Sequence, residues 1–337
     1  MRHGGQILID QLREDGCDTA FCVPGESFLA ALDGLHDHND IRTIVCRQEG
    51  GATMMAGAYA KMTGRPGAAF VTRGPGATNA SVGIHIARQD STPMILFVGQ
   101  AGSGMLGREA FQEVDFPAMF RPLAKWAAEI HDTSRIPEYV ARATHTAMSG
   151  RPGPVVLSLP EDILSANSGA ANVPASRTAE AYPGDKDMAA VADMLAKAER
   201  PLLIAGGPGW SEQVRDDLTA FAQSWNLPVT AMFRKQDSMD NRHPNYAGHV
   251  ALAIDPALAN RVRDADVILA IGPRLGELTT GGYTLITPPA PQQQLIHVHP
   301  GAEELGSVYR ADIPVQCSLS AFAARLAGLK PPKSIAW

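Results

Sequence analysis

Apolar residues fall into short runs, each followed by a turn of small residues and then by an apolar set at helical spacing. Runs at 20–23, 41–46, 67–72, 94–98 and 155–159 read as strands. Between them the spacing predicts helices over 6–15, carried by Ile7, Leu8 and Leu12, over 28–35, from Glu49 to the stop at Gly64 and Pro66, after the 73–79 loop to about 89, and over 136–148. Residues 101–126 read as loop. A second series follows: helix 187–198, strand 201–205, helix 211–225 with Ser211 as N-cap, strands 228–232, 267–271, 295–298 and 313–317, and helix 318–326. Strand and helix alternate throughout, which predicts an α/β protein of two doubly wound, mainly parallel sheets. Residues 166–186 are rich in Ala, Ser, Asn, Pro and Gly and read as a linker between domains at 1–165 and 187–330; 331–337 reads as a second linker.

The chain has 337 residues, enough for about two domains. With 45% apolar and 19% charged residues it has the material for real cores. A net charge of -6 without a basic stripe, and few aromatics, argue against nucleic acid as a partner. No apolar run approaches the length of a membrane span, and the start lacks an apolar signal core. The cysteines, Cys17, Cys22, Cys46 and Cys317, form no Cys-x-x-Cys pair, so buried structural thiols and a cytoplasmic setting are expected.

Candidate chemistry gathers at strand ends. Glu49 follows the run that closes at Cys46, where ligands collect in open α/β sheets; a plain helix-start carboxylate is the alternative. Gly74-Pro75-Gly76-Ala77-Thr78-Asn79 joins a strand to a helix, a place where a ligand can approach bare backbone, and no Gly-Lys-Ser/Thr makes it a Walker loop. Gly206-Gly207-Pro208-Gly209 and Gly272-Pro273-Arg274-Leu275-Gly276 are two further turns, but the third small residue of a dinucleotide fingerprint is missing after Gly209. His297 and His299 share one strand face without a third metal ligand at suitable spacing.

Six segments then come together: Val23-Pro24-Gly25-Glu26-Ser27, Arg47-Gln48-Glu49-Gly50-Gly51-Ala52, Val71-Thr72-Arg73-Gly74-Pro75-Gly76-Ala77-Thr78-Asn79, Asp90-Ser91-Thr92-Pro93, Ala110-Phe111-Gln112-Glu113-Val114-Asp115 and Ser149-Gly150-Arg151-Pro152-Gly153-Pro154. In this order they resemble the pyrimidine-binding domain of thiamine-diphosphate-dependent enzymes of the acetolactate synthase type. Residues from Pro201 to Gly209 and Ala270 to Glu277 are similar to the Rossmann-like central domain of that family. The resemblance implies that Glu49 hydrogen-bonds N1′ of the cofactor's aminopyrimidine ring and favours the imino form of the neighbouring amine. That imine takes the thiazolium C2 proton, and the nucleophile so formed attacks a 2-oxo acid. It also implies cofactor contacts at Pro24, Gly25, Thr72, Gly76 and Asn79, substrate-side roles for Phe111 and Gln112, and for Arg151 a contact to a non-catalytic flavin (FAD), whose presence is left open.

Three departures follow. Gln48 stands where a histidine is usual, and Glu161 where the synthases carry a lysine near the substrate channel. The Gly-Asp-Gly and later Asn that hold Mg²⁺ and the diphosphate are missing: the one Gly-Asp here, Gly184-Asp185, is followed by Lys186. The metal site is therefore expected in a domain absent from this chain, which alone should be inactive, as the first two domains of a homodimeric or homotetrameric carboligase or lyase on 2-oxo acids. A 2-oxo acid or oxalyl-CoA-type decarboxylase, and a non-catalytic nucleotide-binding or assembly module, are the alternatives.

Overall fold

A computed structural model describes residues 1–175 and 177–331; most of the expected terminal linker lies outside them. The chain divides into two compact units, Met1–Thr178 and Ala179–Trp337.

In the first unit the strands are β1 (Arg2–His3), β2 (Thr19–Cys22), β3 (Arg42–Val45), β4 (Gly67–Val71), β5 (Met94–Gln100), β6 (Trp126–Glu129), β7 (Pro154–Pro160) and β8 (Asn167–Ser168). The helices are α1 (Gly4–Glu14), α2 (Leu29–His36), α3 (Glu49–Thr63), α4 (Gly74–Gln89), α5 (Phe116–Phe120), α6 (Ile136–Met148) and α7 (Glu161–Ser165). Six strands form one sheet in the order β3-β2-β4-β5-β7-β6, parallel at every pairing. Strands β1 and β8 form a separate antiparallel pair.

The central strands β4, β5 and β7 are buried at every residue, as expected of parallel strands covered on both faces. Their side chains alternate between two cores. Phe28, Phe70 and Phe97 lie in one with Ile7, Leu8 and Leu12 of α1, and the Phe70 and Phe97 rings stack at 4.6 Å. Ala69, Val71, Leu96 and Val98 lie in the other with Ala52 and Ala56 of α3, Ala77, Ala80 and Ile84 of α4, and Phe116 and Phe120 of α5. The alanine-rich faces of α3 and α4 let those helices sit close, and the Thr53 hydroxyl bonds Gly50 O at 3.0 Å and Ala80 O of α4 at 3.3 Å.

The second unit repeats the plan with β9 (Pro201–Ala205), β10 (Val229–Met232), β11 (Tyr246–Val250), β12 (Val267–Ile271), β13 (Gln294–His299) and β14 (Ile313–Gln316), and helices α8 (Asp185–Lys197), α9 (Glu212–Trp225), α10 (Pro256–Asp264) and α11 (Leu319–Ala327). Its sheet runs β11-β10-β9-β12-β13-β14, again all parallel. Ser211 caps α9 by accepting from Val214 N at 3.2 Å.

Both units therefore have the expected α/β class. Several elements depart from expectation. β1 and β8, the latter inside the expected linker, are a pair of two-residue strands, too short for any apolar period. β6, within and just beyond the expected loop, and β11 are edge strands, half-buried along most of their length, so neither carries the continuous apolar run that marks an interior strand. Helices α5, inside the expected loop, α7 and α10 are not predicted either, and α4 begins at Gly74, within the turn expected to precede it. No helix among the described residues is long and apolar enough to cross a membrane.

None of the four cysteines is bonded to another; Cys22, Cys46 and Cys317 are buried. Burial pushes the Cys22 thiol up to about 11 and the Cys317 thiol to about 12, so little thiolate exists near neutrality. At pH 8, mass spectrometry of the native chain after iodoacetamide should find Cys22 and Cys317 unmodified, and all four modified once urea unfolds it. Equal labelling of the native chain would contradict this packing.

Candidate functional site

Four parallel strands of the first unit end at one rim, and the expected residues Pro24, Gly25, Glu49 and Thr72 follow closely on three of them, with Gly76 and Asn79 in the first turns of α4. After β3 the chain passes Arg47 and turns at Gln48, whose extended backbone and side chain cap α3, the amide oxygen accepting from Gly51 N at 2.7 Å. The unusual residue before the glutamate therefore acts locally, starting the helix in place of the usual Ser, Thr, Asp or Asn. Glu49 is the first residue of that helix, half-buried, its charge favoured by the positive end of the dipole.

The neighbouring helix supplies the partner. Asn79 Nδ2 donates to Glu49 Oε2 at 3.0 Å, which orients the carboxylate across the gap between α3 and α4. A Cβ placed on Gly76 would come 3.0 Å from Thr72 Cγ2 and 3.6 Å from Glu49 Oε1, and one on Gly25 would come 2.6 Å from Thr72 Cβ. Gly25, Thr72, Gly76, Glu49 and Asn79 thus form one small neighbourhood floored by bare backbone. Pro24, exposed, lies at its edge. Ser27, a motif residue without an expected role, is fully buried, and its hydroxyl pairs with Thr72 Oγ1 at 2.9 Å, tying the β2 turn to the β4 turn.

Phe111 and Gln112 arrive on the long loop after β5. The Glu113 carboxylate staples that loop by accepting from Gly107 N at 2.6 Å and Ala110 N at 2.9 Å, and these backbone donors hold its acidity stronger than usual. The loop is fastened to the rim by two carbonyls: Gln112 O accepts from Gly74 N at 3.0 Å and Phe111 O from the Arg73 guanidinium at 3.3 Å. Phe111 is left 68% exposed.

Arg151 is elsewhere. It is buried, with Nε donating to Ser91 Oγ at 2.9 Å and a terminal nitrogen to Arg88 O at 2.7 Å. It ties the end of α4 to the turn before β7 and is not gathered with Glu49.

A separate cavity of about 580 Å³ is lined by Gln100, Asp115, Glu129, His131 and Tyr139 among others. It contains none of the residues picked out from sequence for the cofactor or substrate.

In the second unit the glycine turns meet each other. A Cβ on Gly207, in the left-handed region at φ +70°, would come 1.8 Å from Gly272 O. The ends of β9 and β12 approach so closely that only glycine fits, which accounts for these turns without a ligand. His297 Nε2 meets Pro273 O at 2.8 Å, and His299 Nδ1 meets the backbone of Gly301. No group of three His, Cys, Asp or Glu side chains able to hold a metal occurs among the described residues.

Two family matches divide the chain as the fold does. Residues 2–119 match the thiamine pyrophosphate enzyme N-terminal TPP binding domain, and residues 188–326 the thiamine pyrophosphate enzyme central domain. The chain is built of the N-terminal and central domains of the thiamine pyrophosphate enzymes. Its relatives include the acetolactate synthase large subunit of Parasynechococcus marenigrum, 32% identical over 99% of this chain and 56% of that protein. The acetolactate synthase isozyme 2 large subunit of Escherichia coli is 30% identical over 95% of this chain and 58% of its own length. A probable acetolactate synthase large subunit of Methanocaldococcus jannaschii is 32% identical over 93% and 53%. The chain thus spans a little over half the length of these relatives. Every rim residue from Pro24 to Gln112 lies inside the TPP binding domain match; Arg151 lies outside both matches.

Gln48→Ala should destabilise the N-terminal TPP binding domain by about 1 kcal/mol, the usual cost of a lost helix cap. Urea unfolding followed by circular dichroism measures it; an unchanged midpoint would mean the Gln48–Gly51 bond contributes nothing.

Proposed function

We propose that this chain supplies the pyrimidine side of a thiamine-diphosphate-dependent active site, with Glu49 as the acid-base group that acts on N1′ of the cofactor. The observation that carries this is the placement of a half-exposed carboxylate beside bare backbone at Gly25 and Gly76, oriented by Asn79. An aminopyrimidine ring is flat and edged with donors and acceptors, so it suits a slot walled by Thr72 and glycine backbone. Bound there, the cofactor supplies the nucleophilic carbon that adds to a 2-oxo acid. The chain's own part is to hold a proton at Glu49 against N1′, to keep that carboxylate aimed through Asn79, and to bring Phe111 and Gln112 to the substrate side.

The Mg²⁺ and diphosphate grip is proposed to come from polypeptide carrying the Gly-Asp-Gly and Asn set, which this sequence lacks. Met54, Met55 and Met62 on α3 and Val82 on α4 are exposed, a helix face whose apolar side chains favour a homo-oligomer. The cysteine pattern keeps the cytoplasmic setting as part of the proposal. Flavin has less support, since Arg151 bonds Ser91 and Arg88 within its own unit and Gly207 meets the Gly272 backbone.

Glu161 carries a negative charge where the resembling synthases carry a lysine, and this favours keeping a second outcome, plain decarboxylation of the 2-oxo acid. Product analysis with pyruvate in the completed enzyme separates acetolactate from acetaldehyde.

In that completed enzyme Glu49→Gln should lower turnover on the order of 10²-fold or more, the scale of a general acid-base group; a near-normal rate would exclude the assigned role. Titration calorimetry of the 337-residue chain alone with thiamine diphosphate and Mg²⁺ should show no tight binding. Tight, Mg²⁺-dependent binding would refute the assignment of the diphosphate grip to other polypeptide.

A further inference from the structure

Arg73 sits at the start of α4 with its charge next to the positive end of that helix's dipole, where a cation is disfavoured. It is also only 7% exposed, and its Nε finds no hydrogen-bond partner. A buried cation in so poor a place needs compensation. Its surroundings supply it. The guanidinium pairs closely with Glu161, the first residue of α7. Its other terminal nitrogen lies 3.8 Å from Glu26 Oε1 and donates to Phe111 O at 3.3 Å. One side chain therefore joins the turns after β2, β4 and β7 to the loop after β5.

Elsewhere the loop is tied by Ser103 N donating to Asp162 Oδ1 at 2.8 Å and by Gln100 Nε2 donating to Val114 O at 2.8 Å, and Glu113 staples it internally. At Phe111 and Gln112 themselves, the tie besides Arg73 is Gln112 O taking the amide of Gly74, the residue next to Arg73. Gln112 stands in the left-handed region at φ 62°, a conformation a non-glycine residue holds only where its surroundings impose it. Phe111 projects outward at the same point.

We propose that Arg73 is a positioning residue: latched by Glu161, it fixes the loop carrying Phe111 and Gln112 at the mouth of the Glu49 site. This rests on the assignment of that site to the cofactor and substrate, and it deepens that assignment by naming what holds the substrate-side wall. It also gives Glu161 a purpose: the charge at this position is spent on the latch, where a lysine would repel Arg73.

Hydrogen exchange on the 337-residue chain tests the latch without turnover, so failure of the Glu49 chemistry would leave its outcome unaffected. The Gly74 amide, bonded to Gln112 O, reports loop attachment; the amides of β5 report the fold. Glu161→Gln should speed exchange at Gly74 on the order of tenfold, the scale of a lost charge-assisted bond, with β5 protection unchanged. Arg73→Met should speed it further, and Arg73→Lys, which keeps a cation able to pair with Glu161 and to donate to Phe111 O, should stay closer to the starting rate. Unchanged Gly74 exchange in Glu161→Gln would overturn the proposal. So would equal acceleration in Arg73→Lys and Arg73→Met while β5 stays protected, since packing alone would then explain the site. If Arg73→Met fails to fold, Glu161→Gln and Arg73→Lys still decide it: Glu161→Gln should exchange faster than Arg73→Lys, and the reverse order counts against the latch.

Discussion

The parallel register of the first sheet is the constraint on which the rim depends. Cys22 lies opposite Val45 and Phe70, and Val71 opposite Val98, so the turns after β2, β3, β4 and β5 leave the sheet on the same edge. Hydrogen bonds between strands and the side chains packed on both faces lock this alignment. A one-residue slip in β4 would turn Phe70 and Val71 to the wrong cores. Gly25, Glu49, Thr72 and Gln112 come from positions far apart in the chain, and they meet because their strands cannot slide.

Electrostatics then sorts what stands on the rim. Helix α3 begins with an acid and α7 with two, each in the place its dipole favours. Helix α4 begins beside a buried arginine, which its dipole disfavours, and the acids of neighbouring turns surround that arginine. The same arrangement leaves Glu49 bonded to a neutral amide, Asn79, rather than to a cation.

The central unit uses similar local sequence for a different end. Its glycine turns resemble ligand-binding loops on paper, yet in space they press against each other at the ends of β9 and β12. Glycine-rich turns after strands are thus shared by two situations, close approach of a ligand and close approach of another backbone, and spacing alone does not separate them.

Much of the fold is legible in the order of residues. The buried runs of β4, β5, β7, β9 and β12 are apolar almost throughout, so their strands follow from hydrophobic period, as do α1, α3, α6, α8, α9 and the α/β class; the short helices α5 and α10 do not. The N-cap at Ser211 and the helix start at Glu49 are likewise written in local residue choice. The edge strands β6 and β11 are not, because a half-buried strand needs no continuous apolar run. Nor is the Arg73–Glu161 pair, whose members stand 88 residues apart and are ordinary charges until the β4 and β7 turns converge. Gln48 reads as a departure from a pattern and becomes a helix cap only where its amide reaches Gly51. Sequence alone determined the elements, their order and the candidate carboxylate, because those depend on neighbours along the chain. Tertiary structure decided which residues meet, because a contact across the rim depends on the register of strands far apart in sequence.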